Sequence, residues 1–310
     1  MCSIEIVVSS RRLWVVPGGE ETTQLVTVTA EQLSRELKSD NSPIVLDVRW
    51  KLGDASGHDA YLAGHIPSAV FVDLDTELAA PPSGAQGGRH PLPPVAELEK
   101  SARRWGIDVD SPVVVYDDWG NLAAARLWWL LRWAGVDDVR LLDGGWGAWR
   151  AAGGSSSSGE EVATAPGSVM LRPGQLPVVE IDDVATASGT VLDARAAERY
   201  RGDVEPVDPR AGHIPGAISA PTAENLDADG FFRTVDELRQ RFSTLGVSAP
   251  GTSGDGVDEV AIVYCGSGIN AAHQIAAMAM ARVPAALFPG SFSQWSSDQS
   301  RDVVAGPDPR

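Results

Sequence analysis

Short runs of β-branched residues alternate along the chain with longer segments whose apolar positions recur at helical spacing. Residues 44–48, 113–116 and 139–142 are apolar at nearly every position and are bounded by polar or turn residues, the pattern of strands buried on both faces. Between the last two, residues 123–133 (AAARLWWLLRW) are apolar almost all round and stop at Ala134-Gly135, which predicts a helix packed on a sheet with glycine as its C-cap. The same order returns later, with a strand over 260–264, a helix over 269–281 and a strand over 285–288. Strands alternating with helices predict an α/β fold with a mostly parallel sheet, whose ligands sit outside the carboxyl ends of the strands. The loops after Tyr116 and Tyr264 are therefore the places to search for chemistry.

The pattern is doubled in detail. Val45-Leu46-Asp47-Val48-Arg49 returns as Val191-Leu192-Asp193-Ala194-Arg195, an offset of 191 − 45 = 146, and Gly64-His65-Ile66-Pro67 returns as Gly212-His213-Ile214-Pro215, an offset of 148. Val114-Val115-Tyr116 matches Ile262-Val263-Tyr264, and 141–149 (LLDGGWGAW) matches 287–295 (LFPGSFSQW). A period this long is too great for a solenoid and predicts two copies of one whole domain. The first copy is placed at residues 25–150 and the second at 174–310. Residues 151–173, which contain GGSSSSGEE, read as a flexible linker.

Composition narrows the function. The 310 residues suffice for two cores. With 25 Lys and Arg against 42 Asp and Glu, the formal charge is −17, which disfavours nucleic acid and anionic lipid as partners. A hydrophobic share of 43% is that of a folding chain. Two cysteines, Cys2 and Cys265, build neither a disulfide framework nor a cysteine zinc site and point to a reducing compartment. No apolar run approaches the ~18 residues of a membrane span. The opening MCSIEIVVSSRRLWVV has its arginines after its apolar run, the reverse of a secretory signal, so a cytoplasmic protein is expected. Trp128, Trp129 and Trp133 on the predicted helix read as core or domain-interface packing.

The chemistry centres on Cys265-Gly266-Ser267-Gly268-Ile269-Asn270, a cysteine at a strand end that leads through two glycines into a helix. Glycines let successive N–H groups curl inward, and the helix N-terminus adds its positive dipole end, a setting that stabilises negative charge on sulfur and on bound anions. At the equivalent point the first copy has Asp117, so that copy is expected to be silent. A cysteine phosphatase would need an arginine six positions after its cysteine, where this chain has Ala271. None of the five histidines announces itself as the base of a cysteine protease.

These segments, together with RHPLP at 89–93, resemble the tandem-domain sulfurtransferases of the rhodanese superfamily over roughly residues 25–305. The resemblance implies two tandem rhodanese-like domains, each a mostly parallel sheet flanked by helices. It also implies a silent amino-terminal copy, and a Cys265 persulfide that passes its outer sulfur to cyanide or to a thiol acceptor such as thioredoxin or a low-molecular-weight thiol. No metal or organic cofactor is implied. The loop is similar to the CGSGVTA-type loop of the mercaptopyruvate-using members, with Ile269 and Asn270 in place of Val and Thr, and it lacks the Arg and Lys that thiosulfate-using members place after the cysteine. Those likenesses imply donor contacts from Gly266, Gly268, Ile269 and Asn270, carboxylate binding by Arg199 and Arg210, and a relay of Ser267, His65 and Asp54. The closing GSFSQW departs from the family's GSWxEW at Phe292 and Gln294.

Three other readings stay open. One is a thiosulfate sulfurtransferase that manages without a basic loop. The second is a low-turnover sulfur-binding or partner-docking module. The third is a redox sensor, for which Cys2 would have to resolve an oxidised Cys265.

Overall fold

A computed structural model describes residues 26–251 and 260–309, so Cys2 and the opening segment lie outside the described residues. The first sheet contains β1 (Thr27–Val28), β2 (Ile44–Asp47), β3 (Val70–Phe71), β4 (Val113–Tyr116) and β5 (Val139–Leu142), in the spatial order β1-β5-β4-β2-β3. The second contains β6 (Val191–Asp193), β7 (Ile218–Ser219), β8 (Ala261–Tyr264) and β9 (Ala285–Leu287), in the order β7-β6-β8-β9. All pairings within both sheets are parallel, and the two copies share register, Asp47 opposite Tyr116 in one and Asp193 opposite Tyr264 in the other. The strands predicted from alternation are present. The two-residue strands β1, β3 and β7 are too short to carry a pattern of their own.

The two crossover helices, Ala124–Trp133 and Ile269–Ala281, pack against one another across the seam between the copies. Both are buried on nearly every face because each has its own sheet on one side and the other helix opposite. Trp128 and Trp129 are fully buried there, and Trp133 packs at the margin of a core to which both copies contribute.

The segment expected to be a flexible linker is a strap laid along the first domain. Ser157 and His65 exchange both backbone hydrogen bonds at 3.0 Å, Val169 N–H reaches Ile107 at 3.1 Å, and Arg172 N–H reaches Ala134 at 2.7 Å. Val169 and Leu171 are buried in the core. A Ser/Gly-rich composition indicates a chain without helix or strand of its own, yet here its backbone polar groups find partners along the neighbouring domain.

The GHIP segments explain themselves in duplicate. His65 stacks on Tyr61 at 4.1 Å with Nδ1 at 2.9 Å from the Tyr61 carbonyl, and His213 stacks on Tyr200 at 3.8 Å with Nδ1 at 2.9 Å from the Tyr200 carbonyl. Both rings are completely buried. Both fix the turn that feeds the following edge strand.

At the end of β4 the first copy shows what its loop is built to hold. Asp117 Oδ1 accepts from the N–H groups of Trp119 and Asn121 at 2.7 and 2.8 Å, and Oδ2 from those of Ala123 and Ala124 at 2.9 and 3.1 Å. The loop is an anion cradle filled by the chain's own carboxylate, although burial outweighs those bonds and raises the carboxyl above its ordinary value. Asp117→Ala leaves four N–H groups, three of them buried, without acceptors and is expected to cost about 3 kcal/mol or more. The urea unfolding midpoint of the variant measures the loss; an unchanged midpoint would show that the cradle needs no anion.

Candidate active site

In the second copy the cradle begins at Cys265, directly after β8, and the offset of 148 places Ser267, Ile269, Ala271 and Ala272 where the first copy has its four donors. Cys265 is 3% exposed, and the Gly268 N–H points at its sulfur at 3.1 Å. Its own N–H is held by Ser291 Oγ at 3.1 Å, while its carbonyl accepts from Phe292 N–H at 3.0 Å. Ser291 adopts a left-handed conformation, φ 53°, at the position where the first copy has Gly145 at φ 55°. The hydroxyl's bonds to Cys265 N–H and to the Phe288 carbonyl at 2.9 Å hold it there. The cysteine is thus fixed from both sides in a pocket of N–H groups at a helix N-terminus, an arrangement suited to a sulfur nucleophile and to an anionic persulfide.

Ser267 is brought to the site, but His65 and Asp54 are not. His65 is committed to Tyr61, and Asp54 is exposed in a turn where its carboxylate accepts from Ser56 N–H at 2.9 Å, which lowers its pKa. The relay expected from sequence is corrected to a different pair from the same domain. His90 Nδ1 lies 2.8 Å from Ser267 Oγ, and His90 Nε2 lies 3.3 Å from Asp75 Oδ1. Asp75 is steadied by the Trp50 indole N–H at 3.0 Å, and the Trp50 ring meets the His90 ring edge-on. Burial, then the nearby Arg126, push His90 down to about 4, so the ring is neutral at physiological pH. With Nε2–H directed at Asp75, Nδ1 is free to accept the Ser267 hydroxyl proton.

Arg199 stands at the site, on helix Ala197–Arg201, and Arg210 does not. All the side-chain hydrogen bonds of Arg210 go to backbone carbonyls, those of Trp295, Ser296, Asp298 and Arg301 at 2.6 to 2.9 Å, so it closes the end of helix Ser291–Ser297. The expectation that Arg210 holds a donor carboxylate is therefore corrected: its guanidinium is spent on the fold.

Two arginines that sequence reasoning did not place come from the first domain. Arg89 reaches the loop next to Arg199, and its backbone N–H donates to Ser293 Oγ at 3.0 Å. The preceding Gly88, φ 79°, lies so close to Gly290 that a Cβ there would be 2.4 Å from the Gly290 carbonyl oxygen. Gln294 Nε2 donates to the Ala85 carbonyl at 3.3 Å, so the Gln294 departure docks the Ala85–Arg89 turn, whereas Phe292 packs in the core of the second domain with the Arg195 guanidinium 3.9 Å from its ring centroid. Arg126, fully buried on the first crossover helix, donates to the carbonyls of Leu78, His90, Pro91 and Gly268 at 3.0 to 3.3 Å. Among the described residues no carboxylate faces it; burial lowers it to about 10 and the Cys265 sulfur acts in the opposite direction. Arg89 and His90 stand in the RHPLP segment already singled out, but nothing in their spacing says that they meet a loop 177 residues away.

Comparison with known proteins shows the family. The model of the rhodanese-like domain matches residues 29–152 and again 180–298. The chain is 46% identical over 286 residues to the Mycobacterium tuberculosis protein named "Putative thiosulfate sulfurtransferase SseB", covering 91% of this chain and 97% of that one. It is 44% identical over 286 residues to the Pseudomonas aeruginosa "Probable 3-mercaptopyruvate sulfurtransferase", with 90% and 98% covered. Among solved structures, the Escherichia coli 3-mercaptopyruvate sulfotransferase SseA superposes with a TM-score of 0.72 at 30% identity, over 86% of this chain and 98% of that one. The Leishmania major 3-mercaptopyruvate sulfurtransferase superposes with a TM-score of 0.75 at 28% identity, over 87% and 74%.

The corrected pair makes a differential prediction. Ser267→Ala and His90→Asn are each expected to lower kcat by about a hundredfold or more, with KM changed much less. His65→Asn should instead lower the urea midpoint and leave kcat near the parental value. Because the depressed His90 accepts a proton only near pH 4, its state does not change between pH 5 and 8, and the kcat ratio of parent to His90→Asn should be flat over that range. A kcat collapse in His65→Asn with an unchanged midpoint would restore the relay read from sequence.

Proposed function

The chain is a tandem-domain sulfurtransferase of the rhodanese-like family, and from that premise we propose that it takes sulfur from 3-mercaptopyruvate onto Cys265 as a persulfide and delivers it to a thiol or to cyanide. The observation that carries this reading is the Ser267 hydroxyl, hydrogen-bonded to a neutral His90 two residues after a cradled cysteine.

The transfer balances without any other reactant. The Cys265 thiolate attacks the donor sulfur; an S–S bond forms, the C–S bond breaks, and its electron pair passes into the adjacent carbonyl to give the enolate of pyruvate. The proton released from the donor thiol ends on the methylene carbon of that enolate. Ser267, held by His90, is the group placed to carry it. The persulfide left behind shares its charge with the N–H groups of the loop and with Arg126. In the second half an acceptor thiolate, or cyanide, attacks the outer sulfur and Cys265 returns as thiolate.

The choice of donor follows from charge. No basic residue follows Cys265 within the loop, which suits a donor with a single carboxylate two carbons from its sulfur. The name of the Mycobacterium tuberculosis relative favours thiosulfate as the second reading. A cytoplasmic location, with thioredoxin or a low-molecular-weight thiol as acceptor, fits a buried reactive cysteine that must stay reduced. Among the described residues no helix is long and apolar enough to cross a membrane.

Incubation with 3-mercaptopyruvate should add the mass of one sulfur atom to the chain, and thiocyanate should form on adding cyanide. Cys265→Ser should do neither. A parent chain that turns over thiosulfate faster than mercaptopyruvate would overturn the donor assignment, and one that forms no persulfide with either would overturn the activity.

A further inference from the structure

A second carboxylate already sits between two guanidinium groups of the site. Asp208 Oδ2 accepts from Arg199 Nη2 at 2.9 Å, and Asp208 Oδ1 pairs with Arg89 Nη1, so one carboxylate bridges an arginine of each domain. The Asp208 side chain is 1% exposed. Glu205 takes the Arg199 Nε and Nη2 hydrogens at 3.3 and 2.7 Å. Arg89 Nη2 and Arg199 Nη1, which these acids do not engage, lie against Gly266. A Cβ on Gly266 would lie 2.9 Å from the first and 3.3 Å from the second. The residue after Cys265 thus lacks a side chain where two cations from different domains converge against its backbone.

We propose that the donor's carboxylate is bound beside Gly266 by Arg199 together with Arg89 of the first domain, and that Asp208, the internal carboxylate that bridges the same pair, sets the preference for a donor of single charge. The proposal rests on the sulfur-transfer reading above and adds the residues that recognise the donor. Two guanidinium groups offer four or more donors in a planar fork, enough for a bridging carboxylate on one side and a bound one on the other. The charge count sets the selectivity. Arg89 and Arg199 contribute two positive charges, Asp208 and Glu205 two negative ones, and the adjoining Arg195–Asp193 pair is neutral. With no net positive charge to offer, the fork gains little from a second negative charge on the donor. Thiosulfate bears two, close to the sulfur that is transferred; mercaptopyruvate bears one, farther off. Recognition here is therefore by hydrogen-bond geometry rather than by bulk charge, and it is assembled only when the first domain is in place.

Steady-state kinetics with both donors test this in Arg89→Met, Asp208→Asn and the double variant. Arg89→Met should raise KM for mercaptopyruvate about tenfold or more while kcat changes little. Asp208→Asn, which leaves the fork one charge more positive, should raise kcat/KM for thiosulfate about tenfold relative to that for mercaptopyruvate. The double variant separates recognition from mere charge balance, because it removes the buried pair as a unit. If Arg89 binds the donor, KM for mercaptopyruvate stays high in the double variant; a return to the parental value would show that Arg89 only neutralises Asp208 and would overturn the proposal. An unchanged donor ratio in Asp208→Asn would overturn the selectivity claim. Failure of the parent to form a persulfide with either donor would instead overturn the sulfur-transfer reading, and so is distinguishable from both.

Discussion

Among the described residues no carboxylate faces Arg126, which lies fully buried against the loop of the reactive cysteine, and the rest of the site is arranged around that charge. Carbonyl oxygens satisfy the hydrogens of Arg126 but not its charge, and an isolated buried cation costs several kcal/mol unless an anion completes it. The anion that fits is the sulfur of Cys265, as thiolate before the transfer and as persulfide after it. Arg126 belongs to the first domain and the sulfur to the second, so the chemistry sits at the seam and neither copy holds a complete site. The seam is closely packed, with the two crossover helices side by side and the Ala85–Arg89 turn pressed against the Gly290–Gln294 segment.

The two copies carry different residues at the start of the same loop, Asp117 in the first and Cys265 in the second. Each folds a loop of inward N–H groups after its central strand. In the first that loop is filled from within by Asp117; in the second a thiol takes the same place and leaves the outermost position to transferred sulfur. The filled cradle is structure, and the first copy lends side chains to the loop of the second: Arg89 beside Gly266, His90 and Asp75 to Ser267, Arg126 to the Gly268 carbonyl. The loop of the second domain meets its partners only when the first domain is in place.

Much of this was legible in the sequence, and the exceptions have a common cause. The strands over 113–116 and 261–264, the helix over 269–281, the duplication and the candidacy of Cys265 all follow from periodicity and local residue type, which act over a few residues. The partners of Ser267 do not, since His90 lies 177 residues away and is brought in by the packing of domains. His65 and Arg210 misled for the converse reason. A histidine stacked on a tyrosine and an arginine that ends a helix serve the fold locally, and residue type alone does not separate that service from catalysis. The Ser/Gly-rich strap shows the same limit, for composition speaks to the absence of regular structure and not to whether a neighbouring surface will hold the chain.

The claim at the centre of this account is that a cation from the silent domain supports the charge on the sulfur. The most direct measurement is the single-turnover rate of Cys265 persulfide formation from 3-mercaptopyruvate in Arg126→Met and Arg126→Lys, with urea unfolding recorded for both. The account predicts that the methionine variant is slowed by about a hundredfold or more and that lysine, which keeps the charge but not the fork, recovers a large part of the rate. A folded methionine variant that forms the persulfide at the parental rate would contradict it.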